Sequence, residues 1–116
     1  MSRKPHSPVD PEEIKRRLSV MHASYRAKVP GKVAEIEALW RRARVALPGD
    51  DSRNDLLLAA HTLVGSSPSL GCEALGAAAA DLERALRAAF AHGGALSGDE
   101  AAAIGVLVEK LGSSLN

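Results

Sequence analysis

Aromatic side chains are almost missing: Tyr25, Trp40 and Phe90 are the only three in 116 residues. A core of stacked rings is therefore excluded, and the interior must be aliphatic. The single cysteine, Cys72, excludes an internal disulfide and a cysteine-rich zinc site, which makes a reducing, cytoplasmic compartment the expected setting. Apolar runs are short: stretches such as Ala101 to Val108 fall far below the roughly 20 residues that a membrane-spanning helix needs. The opening Met1-Ser-Arg-Lys-Pro-His6 has no apolar run of the kind that marks a secretory signal. No strand-like alternation, phosphate-cradling glycine loop, kinase nucleotide motif or receiver-type acidic cluster appears, so neither ATP binding nor self-phosphorylation is expected. His6, His22 and His92 lie on separate segments without ligand spacing, and no metal site is expected.

What the chain does have is alanine and leucine in quantity. They are good helix formers, and with 46% of residues apolar they suit one compact all-α domain. The formal charge of +1 hides an asymmetry: residues 1–44 hold eleven Lys/Arg against five Asp/Glu, and residues 45–116 hold four against nine. The basic run Trp40-Arg-Arg-Ala-Arg44 is the strongest argument for phosphate contacts. Basic residues spread along amphipathic helices ordinarily form a solvated face, so neither nucleic acid nor a membrane surface is the expected partner.

Residues 1–9 contain two prolines and no helical period, which reads as a flexible lead-in to a single domain over 10–116. Asp10-Pro11-Glu12-Glu13 is a helix start, with Asp at the N-cap, Pro at N1 and acids in the first turn. A first helix to about Lys28 would place Ile14, Leu18, Met21 and Tyr25 on one stripe, and Pro30-Gly31 is expected to break it. Val33, Ile36, Trp40, Ala43 and Leu47 then predict a second helix ending at Pro48-Gly49. A third starts near Arg53, carries His61 and is closed by Gly71. A fourth runs from about Glu73 to His92 with Leu75, Ala79, Leu82, Leu86 and Phe90 inward. Ser97-Gly-Asp-Glu100 is a capping box that opens a fifth, with Ile104, Leu107, Val108, Leu111 and Leu115 inward. Short connections make sequential helices antiparallel neighbours, hence a bundle.

The third segment is unusual. At 100° per residue, Leu56, Ala59, Leu63, Ser66 and Leu70 fall opposite His61 and form the expected core face. The His61 side holds Asn54, Leu57, Leu58, Val64, Gly65, Pro68 and Cys72, so it is apolar as well, where an ordinary surface helix would be polar. Two readings fit: a central helix with a core histidine, or an apolar patch that presents a titratable group for binding. Gly65 costs about 1 kcal/mol relative to alanine inside a helix, and it leaves space one turn beyond the imidazole.

His61-Thr-Leu63-Val-Gly65-Ser66-Ser67-Pro-Ser-Leu70-Gly71, followed by Leu75 and Leu82-Glu83, resembles the histidine-containing phosphotransfer (HPt) domain of bacterial two-component phosphorelays. The resemblance implies an antiparallel four-helix bundle with an additional N-terminal helix, which matches the five segments. It also implies that His61 is the phosphoacceptor, attacking an aspartyl phosphate of a response-regulator receiver domain through Nε2 and passing the group to a second receiver. Neutral imidazole suits that task because it is nucleophilic near neutral pH. On this reading Gly65 gives clearance for the phosphoryl group, while Leu57, Leu58, Val64 and Pro68 meet the partner. The chain itself would bind no cofactor, since Mg²⁺ belongs to the partner receiver, which could be that of a hybrid histidine kinase. It would be a phosphotransfer intermediate rather than an autonomous enzyme, and a monomer. Val64 stands where the family often has lysine, and Pro68 is expected to bend or end the helix near Ser67. The rival reading is a helical adaptor that binds a receiver or another protein through the His61 face without transferring phosphate.

Overall fold

The computed structural model describes residues 10–47 and 49–115; the lead-in read over 1–9, and Pro48 as a helix stop, lie outside them. Four α-helices follow in chain order: α1 (Pro11–Ala43), α2 (Ser52–Ser66), α3 (Glu73–Phe90) and α4 (Gly98–Ser113), with a 3₁₀ turn at Pro68–Leu70 between α2 and α3. Among the described residues there is no strand. The helices run up, down, up, down, and α4 closes back on α1, where Trp40 faces Gly105. The expected all-α class and helical bundle are what is found.

The break expected at Pro30-Gly31 does not occur, because Pro30 lies inside one continuous α1 of 33 residues. Pro30 is exposed, so the carbonyl that loses its amide partner is left to water instead of being buried. The buried stripe Tyr25, Val29, Val33, Ile36, Trp40 and Ala43 runs straight through the proline and holds the helix together by packing. The additional N-terminal helix is thus the first part of α1. At 1.5 Å per residue α1 is roughly 50 Å long, more than twice the length of the 15-residue α2, and its first turns overhang the bundle. Ile14, Leu18 and Met21, placed on the same stripe as Tyr25, are 42%, 44% and 52% exposed for that reason. Leu47, expected inside, is exposed because α1 stops at Ala43; Leu115, expected inside, is exposed just beyond the end of α4.

The remaining boundaries follow local chemistry. Asp10 Oδ1 accepts from Glu12 N at 3.0 Å, and Pro11 opens α1. In the capping box of α4, Glu100 N donates to Ser97 Oγ at 3.0 Å and Ser97 N donates to Glu100 Oε1 at 2.8 Å. The core is aliphatic, as the composition required: Leu56, Leu63, Leu75, Leu82, Leu86, Ile104 and Leu111 are buried, and Trp40 is buried with them.

Candidate functional site

His61 sits midway along α2, and its side chain is 63% exposed. It is therefore not a core histidine. The core face of α2 consists of Leu56, Ala60, Leu63 and, just past the helix, Ser67. This is turned by about 50° from the face drawn with ideal periodicity, so Ala59, Ser66 and Leu70, expected inside, are only half-buried. A hydrogen-bonded anchor ties the end of α2 to α1: the Tyr25 hydroxyl lies 2.9 Å from Ser66 Oγ and 2.8 Å from Ser67 Oγ, and Ser67 is fully buried. Ser66 Oγ also donates to the Thr62 carbonyl one turn back at 2.8 Å.

Facing His61 from α3 is Glu83. The imidazole Nδ1 lies 2.8 Å from Glu83 Oε2, and the same oxygen accepts from Arg87 Nη2 at 2.7 Å and Nε at 3.2 Å. The Arg87 guanidinium and then the imidazole hold the Glu83 carboxyl below its ordinary range, against the opposing effect of its partial burial. An ionised carboxylate can only accept, so Nδ1 must carry the proton, and the lone pair of neutral imidazole is placed on Nε2. Nε2 is the ring nitrogen turned away from Glu83, and the exposed ring leaves it open to an incoming group.

Away from Glu83 and Arg87, the surroundings of the ring are apolar. Leu58 is 65% exposed, Leu57 and Val64 are half-buried, and Gly65 and Pro68 are exposed. A Cβ built on Gly65 would meet no atom within 4 Å, so the space beside His61 is open. Val64 packs against the core as well as facing outward. Pro68 has a structural duty: Gly76 of α3 presses so close that an added Cβ would lie 2.8 Å from the proline Cγ. Pro68 opens the 3₁₀ turn rather than kinking α2, and Gly71, at φ +84°, ends that turn. His61 stands on a ridge between two grooves. One, between α1 and α2, is lined by Lys32, Leu39, Asp55 and Leu58; the other, toward the end of α3, by Arg53, Leu57, Arg87 and Phe90. Among the described residues no three acidic, histidine or cysteine side chains cluster as a metal site, and no helix is long and apolar enough to cross a membrane.

The sequence pattern includes Glu83 but gives it no role, and it does not single out Arg87. A signal for the first existed. A helical hairpin folded about Cys72 brings residues equally far before and after it together, and His61 and Glu83 are each eleven residues from Cys72.

An up-and-down helical bundle that presents on its surface an exposed histidine with Nδ1 bound to a carboxylate and Nε2 turned outward defines a class of protein able to take up a group on nitrogen. The comparison with known families names that class: the model described as "Hpt domain" matches residues 20–114, and the chain belongs to the Hpt domain family. Members carry out histidine phosphotransfer in phosphorelays and interact with receiver domains. No curated protein and no solved structure matches the chain.

Proposed function

We propose that this protein relays a phosphoryl group between receiver-domain aspartates through a phosphohistidine formed at Nε2 of His61. The observation that carries the proposal is the His61–Glu83 contact: an exposed imidazole whose Nδ1–H is bound to a carboxylate, with Nε2 free. As an aspartyl phosphate approaches, the Nε2 lone pair forms the N–P bond while the P–O bond to the aspartyl oxygen breaks, and its electron pair returns to that carboxylate. The ring gains positive charge as the bond forms, and Glu83 stabilises it through Nδ1–H. Return of the group to a second receiver reverses these steps. Phosphoryl transfer depends mainly on in-line positioning and charge neutralisation, so this chain needs to supply little beyond the nucleophile, its orienting carboxylate and a face to dock on.

Leu57, Leu58, Val64 and Pro68 form that face, and Gly65 leaves room for the phosphoryl group and the incoming receiver. Mg²⁺ belongs to the receiver, which could be part of a hybrid histidine kinase, and this protein acts as a cytoplasmic monomer. The test is incubation with receiver domains charged by acetyl phosphate, followed by assay for an acid-labile, alkali-stable phosphoryl group. Label on wild-type protein and none on His61→Gln is expected. Equal label on His61→Gln would refute His61, and binding of receivers without any labelling would make the protein an adaptor.

A further inference from the structure

Val64 leaves the phosphoryl position without the cation that the family often supplies from α2 itself. The residues flanking His61 on its exposed side, Leu57, Leu58, Val64 and Gly65, carry no charge. A phosphoryl group on Nε2 would therefore bring up to two negative charges within an imidazole's width of the Glu83 carboxylate, a repulsion that must be offset. A guanidinium is already in place: Arg87, one turn along α3, shares Glu83 Oε2 with the imidazole and is itself 60% exposed.

We infer that Arg87 supplies this charge from α3, swinging from Glu83 to bridge Glu83 and the phosphoryl oxygens once His61 is phosphorylated. The fork geometry allows it. A guanidinium has five N–H donors, and Nε and Nη2 are the nitrogens engaged with Glu83, which leaves the other edge available to phosphate. The exposed side chain has room to pivot. Of the other charged groups around the ridge, Arg53 shares the groove with Arg87 but lies over the Phe90 ring at 4.8 Å. Lys32 and Asp55 line the groove beyond Leu58 and Thr62, where Lys32 lies over the Tyr25 ring, and Arg84 pairs with Asp81 at 3.2 Å. Before transfer, Arg87 keeps Glu83 ionised and aimed at Nδ1; after transfer, it neutralises the product.

The inference rests on His61 being the phosphoacceptor, and the experiment separates the two. The full chain is phosphorylated chemically with phosphoramidate, without any receiver, and the phosphohistidine resonance is followed by ³¹P NMR as pH is varied. A cation in contact with a phosphoryl group favours its dianion, so the second ionisation falls to lower pH in the wild type. Arg87→Gln should move that midpoint upward by about one pH unit. Arg87→Lys should restore part of the shift, and Lys32→Gln should leave it in place. Because Arg87 is exposed, its loss should not unfold the protein. A purely structural role would change neither midpoint nor ³¹P shift, so an unmoved midpoint in Arg87→Gln overturns the role of Arg87 while the relay proposal stands. Failure of His61 itself to label overturns both.

Discussion

Replacing Glu83 by alanine tests the chemistry of the site most directly. Its side chain is only 13% exposed, whereas the imidazole it binds at 2.8 Å is 63% exposed. A hydrogen bond to a charged group is worth about 1.5–3 kcal/mol, and exposure of the ring weakens it to just below that range, about 1.4 kcal/mol. Because Nδ1–H meets Glu83 most strongly when the ring gains positive charge, that energy belongs mainly to the transition state and product. Phosphoryl transfer from a charged receiver to Glu83→Ala should therefore be about tenfold slower. Glu83→Gln keeps an oxygen that can accept from Nδ1–H but loses the charge, so its rate should fall between the two. Rapid-quench transfer kinetics measure the rates, and ¹⁵N shifts of the imidazole report which nitrogen holds the proton. A Glu83→Ala protein that transfers at the wild-type rate, or that keeps the wild-type tautomer balance, would refute the reasoning.

At Gly65, alanine meets open space and should raise helix stability by about 0.5–1 kcal/mol, yet its methyl narrows the approach to His61. A higher melting temperature with slower transfer is the expected pair of results, and faster transfer would contradict the clearance role. Gly76→Ala should have the opposite effect on stability: its Cβ would come within 2.8 Å and 2.9 Å of the Pro68 ring, and the overpacking cost of about 1–3 kcal/mol exceeds the helix gain, so thermal denaturation should show a loss. Ser52 is fully buried with Oγ unpartnered, and the Asp50 side chain already caps its amide at 2.7 Å. Ser52→Ala should then stabilise the fold by roughly 0.5–1 kcal/mol, which urea denaturation can check. Glu83, whose carboxyl is lowered from 4.5 chiefly by Arg87, stabilises the fold fully above that pH and loses the contribution as pH falls through its folded value, where the native state also takes up the proton. The stability gap between wild type and Glu83→Gln should accordingly be present at pH 6 and close toward pH 3.

Helix identity and the polarity of the His61 face were legible because both rest on local rules. Caps at Asp10 and Ser97, the αL glycine at Gly71 and the periodic leucines of α3 act within one or two turns of sequence. Failures came where burial was decided by distant partners. Periodicity placed Ile14, Leu18 and Met21 on one stripe with Tyr25, correctly as a face, but it cannot say where the neighbouring helices end. Pro30 is a helix breaker by its covalent structure, yet it falls on the solvent side, where a missing hydrogen bond is cheap, while Val29 and Val33 beside it are buried. The core face of α2 departs from the wheel because it is set by the two helices packed against it, α1 and α3, and not by its own period alone. His61, Gly65 and the surrounding leucines could be read from one segment. Glu83 and Arg87 could not, since their role exists only once α3 lies against α2.

The packing of that hairpin explains why residues remote from His61 bear on its chemistry. Three contacts hold α2 and the 3₁₀ turn that follows it against α3 in one register: Pro68 on Gly76, His61 on Glu83, and the Arg53 guanidinium over the Phe90 ring at 4.8 Å. The tight turn closed by Gly71 and the Tyr25 anchor on Ser66 and Ser67 fix one end of this ladder. Slipping α3 by one turn in one direction would set His61 against Ala80, which offers no side-chain acceptor; slipping it the other way would set His61 against Arg87, which offers only donors. Either slip would remove the carboxylate that assigns the proton to Nδ1, and with it the free lone pair on Nε2. The close approach of Pro68 to Gly76 thus bears on the reactive nitrogen as well as on stability, because it helps hold the only one of these registers in which Glu83 faces the imidazole.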